Sequence, residues 1–100
     1  MKPFVLTNAA KADLKAIARF TEKQWGRNQR NIYLKHFDDV FHLLANTPSM
    51  SKACDSIKIG YQKFPHASHI IFYRNGTESF IEIVRILHKN MDVVSKFENS

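Results

Sequence analysis

One hundred residues, 44% hydrophobic and 24% charged, describe a single small domain, 1–100, able to bury its own core, and exclude a disordered chain. Fifteen Lys and Arg against nine Asp and Glu leave a net charge of +6, which favours an acidic partner, nucleic acid or protein, and equally serves solubility. The lone cysteine, Cys54, excludes an intrachain disulfide and reads as an ordinary buried thiol. Charges at Lys2, Lys11, Asp13, Lys15 and Arg19 interrupt any signal-peptide core and no apolar run is long enough to span a bilayer, so the expected location is the cytoplasm.

The first element is a short apolar strand, "FVLT" at 4–7, running directly into a helix, because Thr7 and Asn8 are good N-cap residues. Leu14, Ile17, Ala18, Thr21 and Trp25 recur about once per turn and predict the buried stripe of that helix, with Lys11, Lys15, Arg19 and Glu22 opposite. Gly26 ends it. A second helix from about Asn28 carries Tyr33, Phe37, Val40, Phe41 and Leu44 on one stripe and stops at "NTP", 46–48. Three β-rich segments follow, at 57–64, 69–75 and 79–88. Pro65 to Ala67 reads as the first turn and Asn75-Gly76 as the second. The predicted fold is α+β, ordered β-α-α-β-β-β, with a helical hairpin packed on a mostly antiparallel sheet and a short C-terminal tail or helix.

The last strand, "SFIEIVRILH", is apolar on both faces. A strict alternation puts Phe80, Glu82, Val84, Ile86 and His88 on one side and Ile81, Ile83, Arg85 and Leu87 on the other, as suits a central strand. Arg85 then needs an anion: a carboxylate, with Asp13 among the few candidates in the helices, or a ligand in an open groove. If the protein is a ribonuclease, Arg85 and His88 are the catalytic candidates. Three residues apart on a regular strand they face opposite ways, unless a bulge intervenes.

Other chemical patterns are thinner. Asp38 and His42 share a helical face at i, i+4, and His66 and His69 lie three apart near a turn, but no third ligand is placed, so no metal site and no cofactor is expected. Trp25, Tyr33, Phe64, Phe72 and Tyr73 are of the type that stacks on RNA bases, yet their positions predict core packing. Arg19, Lys23, Arg27, Arg30 and Lys35 make the hairpin's basic side.

Several strings together carry a resemblance: "LTNAAKADLKAIARFTEKQWG" at 6–26, Tyr33, "LLANTP" at 43–48, "CDSIKIGYQKF" at 54–64, "HIIFYR" at 69–74 and "IVRILHKNMD" at 83–92. In order and spacing the chain resembles the ParE toxins of type II toxin-antitoxin pairs, within the RelE and ParE superfamily. One departure is Ser51, where the family places a Gly three residues after the Pro that ends the second helix. The resemblance implies a growth inhibitor that poisons DNA gyrase by binding and blocks replication, with no catalytic residue of its own. It also implies a ParD-like antitoxin that neutralises it and through which the complex binds its own operator. The alternatives are a ribosome-dependent messenger RNA endonuclease of the RelE branch and a non-toxic orphan that keeps only its antitoxin surface. On the gyrase reading, Arg19, Lys23, Trp25 and Arg74 are the expected antitoxin contacts, and His88, Lys89, Met91, Asp92 and Phe97 the expected target contacts.

Overall fold

The computed structural model describes residues 2–47, 52–53 and 60–90. Its elements are strand β1 (Lys2–Leu6), helices α1 (Asn8–Trp25) and α2 (Arg27–Asn46), and strands β2 (Lys52–Ala53), β3 (Gln62–His66), β4 (His69–Asn75) and β5 (Ser79–His88). The expected order β-α-α-β-β-β is present, with the two-residue β2 added at an edge. Ser51, Cys54, residues 57–59 of the first expected β-rich segment and the tail beyond Asn90 lie outside the described residues.

The strands form one sheet in the order β1-β5-β4-β3-β2. Consecutive strands from β2 to β5 pair antiparallel, whereas β1 lies parallel to β5, with Phe4 opposite Ile81 and Leu6 opposite Ile83. A parallel pair needs a long crossover, and here the crossover is most of the domain. The β3–β4 turn falls at Ala67 and Ser68 rather than at Pro65 to Ala67: Pro65 and His66 pair with Ile70 and His69, and Ala67 takes the positive φ of 54° that the tight reversal needs. Between β4 and β5, Gly76 is required for space, because a Cβ there would overlap Ser79.

Helix α1 starts where the Thr7 hydroxyl accepts the Ala10 amide at 3.1 Å. It ends at Gly26, whose φ of 92° and ψ of 172° belong to a region that side chains exclude; α2 begins at the next residue. A single glycine thus turns the chain back on itself, and Glu22 straddles the joint by pairing with Arg30 at 3.1 Å. Phe37, Phe41 and Leu44 of α2 and Ala10 and Ile17 of α1 then bury against Ile71, Tyr73, Ile81, Ile83 and Ile86 of the sheet. Each fully buried side chain of this size contributes about 1.5–3 kcal/mol relative to exposure.

The alternation expected along β5 is interrupted. Phe72 stands opposite Arg85 but Tyr73 stands opposite Ile83, so Val84 is an extra residue, a β-bulge. The core-facing set therefore changes parity, from Ile81 and Ile83 before the bulge to Ile86 after it, and Leu87 joins Tyr61 and Phe72 in a second cluster with Ile70 and Val84 packed on it. Trp25 also departs from expectation. As the last residue of the helix it is 72% exposed rather than buried in the α1 stripe.

Candidate functional groove

The β1 strand stops at Leu6, opposite Ile83, whereas β5 continues to His88, which leaves the β1-side edge of β5 without a strand partner beyond that point. Unpaired backbone groups there need substitutes. Thr7 supplies two: its amide donates to the Ile83 carbonyl at 3.0 Å and its hydroxyl to the Val84 carbonyl at 2.8 Å. Asp13, on the first turns of α1, supplies the third by accepting the Ile86 amide at 3.0 Å. The same carboxylate takes Nε and Nη2 of Arg85 at 2.7 and 2.9 Å. The guanidinium in the strand is thus paired with Asp13, one of the two alternatives open from sequence. The carboxylate and desolvation act on it in opposite senses, and the hydrogen bonds of Asp13 prevail, raising the Arg85 pKa above its ordinary value.

Beyond this clamp, a groove of about 870 Å³ opens between the helical hairpin and the β3–β4 turn end of the sheet. Ala16, Ile17, Phe20, Thr21 and Trp25 of α1 form one wall, Gln29 and Tyr33 of α2 the base, and Ser68, His69 and His88 the sheet side. Phe20 is 63% exposed, so with Trp25 it sets two large aromatic side chains at the surface. The sheet end is tied shut by the Lys89 amide donating to the Ser68 carbonyl at 3.0 Å.

Histidines gather at this end of the groove. His69 and His88 are cross-strand partners with ring centroids 5.4 Å apart, and the Tyr33 hydroxyl lies 3.3 Å from Nδ1 of His69. His66 pairs with His69 across the turn and packs edge-on to Phe37, with its Nε2 buried and lacking a hydrogen-bond partner. Burial, followed by the positive charge of its neighbours His88 and His66, holds His69 below the usual histidine range, with Asp13 opposing weakly; burial and then His36 do the same to His66. Burial raises Tyr33, which keeps its hydroxyl protonated. His88 is fixed differently: its Nδ1 accepts the Asn90 amide at 3.2 Å.

The residues singled out from sequence are only partly brought together. Trp25 lines the groove, and Arg19 and Lys23 are exposed on α1 beside its Phe20 wall. Arg74 is elsewhere, near the far end of β4 from His69, paired with Glu82 at 2.7 Å and lying 5.9 Å over the Tyr61 ring. His88 enters the groove and Lys89 is exposed just past it, while Met91, Asp92 and Phe97 lie outside the described residues. Arg85 and His88 do not converge, since the bulge precedes both and their stretch of ladder is regular. Asp38 and His42 meet on the exposed face of α2 at 3.5 Å, and among the described residues no group of three or more His, Cys, Asp or Glu could hold a metal ion. Sequence reasoning missed Phe20, Gln29 and Ser68 as groove residues. The available signal was Phe20 itself, a large aromatic outside the apolar stripe of α1 and between Arg19 and Lys23.

Comparison with known proteins fits this architecture. The family model described as "ParE toxin of type II toxin-antitoxin system, parDE" matches residues 4–93. The chain is 35% identical over 92 residues to Toxin ParE1 of Caulobacter vibrioides, covering 92% of this chain and 94% of that one. It is 39% identical over 90 residues to Toxin ParE1 of Mycobacterium tuberculosis, covering 90% and 92%. A solved structure from the chromosomal ParDE system of P. aeruginosa shares the fold, with a TM-score of 0.71 at 19% identity over 88% of this chain and 96% of that one. The molecule is therefore of the toxin class of two-component toxin-antitoxin systems. Within that class, the chain belongs to the ParE toxin family.

Proposed function

We propose that this ParE-family toxin arrests growth in the cytoplasm by binding and poisoning DNA gyrase, without catalysing a reaction itself, and that a ParD-like antitoxin silences it by laying an acidic amphipathic segment along the groove. The observation that carries the antitoxin reading is the groove. Phe20 and Trp25 hold a strip of apolar surface open to solvent on a protein of net charge +6, and none of the described residues lining it is acidic. Exposed apolar strips of this kind mark partner sites, and an amphipathic segment that folds as it binds is the partner that fits a helix-and-sheet groove. Arg19 and Lys23 then meet its polar rim, and Arg74 engages only a segment that continues over the sheet toward the other end of β4. The toxin-antitoxin complex would bind its operator through the antitoxin.

The gyrase reading is supported by family membership and by the state of Arg85. A ribonuclease of the RelE branch needs free cations for the scissile phosphate, and this guanidinium is committed to Asp13. The target surface is assigned to the stretch from His88 through Lys89, Met91 and Asp92 to Phe97. The ribonuclease remains the second reading because Tyr33, His69 and His88 place acid-base groups together at an open groove.

The deciding experiment titrates the purified toxin into gyrase with supercoiled plasmid and ATP, in parallel with a ribosome-programmed messenger RNA cleavage assay. Linear DNA or lost supercoiling with intact message supports the gyrase reading; cleaved message with unaffected gyrase replaces it with the ribonuclease. Truncation after Asp92 is expected to spare antitoxin binding and reduce poisoning. Full toxicity of that truncation in growing cells would remove the tail from the target surface.

A further inference from the structure

The apolar wall of the groove explains why an amphipathic segment would enter it, but says nothing of what that segment carries at the histidine end. There the described lining offers Ser68, His69, His88 and the Tyr33 hydroxyl, and no carboxylate. The charged and titratable groups around His69 are Tyr33 on α2, His66 on β3, His88 on β5 and, acting at longer range, Asp13 on α1. Asp13 is already saturated by Arg85 and the Ile86 amide. The histidine end therefore has donors to give and lacks a counter-anion.

The two groove histidines differ in what they can do with a proton. At His88, Nδ1 is occupied as an acceptor of the Asn90 amide, so a proton on that nitrogen would break a bond, and Nε2–H is the donor the ring offers. At His69, Nδ1 faces a hydroxyl, which both donates and accepts. With Nδ1 bare, neutral His69 accepts from Tyr33; with Nδ1 protonated, Nδ1–H donates to Tyr33 instead, and the contact survives. His69 is thus the one histidine of the pair that can become charged without losing its hydrogen bond.

We infer that the groove receives a carboxylate of the docked antitoxin segment at His69, with the His88 ring as its second donor, and that docking takes up one proton on His69. This rests on the reading of the groove as the antitoxin site and adds the chemistry of one contact to it. In the free toxin His69 is neutral at pH 7. A carboxylate brought into the half-buried site favours the charged ring, so the complex binds a proton that the separate components do not. Affinity then rises as pH falls, by up to about tenfold per pH unit for one proton.

The test uses this toxin chain and a purified ParD-like antitoxin, with dissociation constants measured from pH 8 to pH 6 and toxin folding checked by circular dichroism at each pH. The expected result is binding at least tenfold tighter at pH 6 than at pH 8, with His69→Gln abolishing that dependence and His42→Gln, on the far side of α2, leaving it intact. Histidine-ring NMR gives a second readout without a variant: the His69 resonance is expected to titrate at higher pH in the complex than in free toxin. Binding that is flat with pH, or a pH dependence kept in full by His69→Gln, overturns the inference while leaving the groove as the antitoxin site. No binding at any pH overturns both.

Discussion

Asp13 and Arg85, 72 residues apart in the chain, meet through two hydrogen bonds while the same carboxylate caps the Ile86 amide, so one side chain of α1 closes the bare edge of β5. The two side chains are only 14% and 18% exposed, which places the pair between a surface ion pair and a buried one. Asp13→Ala leaves a largely buried cation and a backbone donor without partners. The expected cost is about 2–4 kcal/mol of unfolding free energy, read by urea denaturation. A loss below about 0.5 kcal/mol, the level of an ordinary surface change, would mean that solvent already serves both groups.

Thr7 joins the same edge from the other side. Its hydroxyl caps α1 by accepting from Ala10 and also donates to Val84, so it holds the helix start onto the bulge. Thr7→Ala is expected to lower stability by about 1–2 kcal/mol and Thr7→Ser to restore most of it, since Ser keeps both bonds. Equal losses in thermal melts of the two variants would assign the effect to the methyl group instead.

The groove aromatics should separate binding from folding. Phe20 and Trp25 contribute little to the core, so Phe20→Glu and Trp25→Ala are expected to shift stability by no more than about 0.5 kcal/mol. Both should weaken the antitoxin complex by tenfold or more, as anchors at the centre of an interface do. A tight complex with Phe20→Glu would move the antitoxin to another face.

His66 gives the fold an acid limit. Its buried, unpartnered Nε2 and the position of the ring against Phe37 favour the neutral form, so its folded-state pKa lies below the unfolded value of about 6.5. The unfolded chain then binds more protons in that interval, and stability rises with pH there. The contribution is complete above about pH 6.5 and is lost as pH falls through the folded-state pKa. His66→Phe is expected to flatten the fall in urea midpoint between pH 7 and pH 5.5. A variant as acid-sensitive as the wild type would shift the cause to His69 or another group.

Much of this architecture can be read from the residues. Thr7 and Gly26 mark the ends of α1, the Phe37, Phe41 and Leu44 stripe marks the buried face of α2, and Asp13 is one of few acids available to Arg85. What escapes is non-local or leaves no trace in composition. The bulge at Val84 falls in a strand apolar on both faces, so a change of parity there does not alter the pattern of hydrophobic residues. Trp25 has the helical spacing of a core residue, and spacing alone does not reveal that the last residue of the helix stands exposed at the groove. The histidine end of the groove combines residues from α2, β4 and β5, and within the sequence His69 pairs only with His66 near a turn, with nothing to bring Tyr33 or His88 to it.

The parallel pairing of β1 with β5 also orders events during synthesis. The α1–α2 hairpin closes through one glycine and can form as soon as it leaves the ribosome, whereas the first strand waits for the last, some eighty residues later, before it has a neighbour. A partly translated chain therefore lacks the β5 edge that Thr7 and Asp13 clamp and the His88 side of the groove. Chains arrested before Ser79 should be degraded by protease at β1, and chains extended past the described β5 should resist. Until β5 arrives, neither the clamped edge nor the histidine end of the groove exists, so whatever the groove receives can be bound only by a chain already extended through that strand.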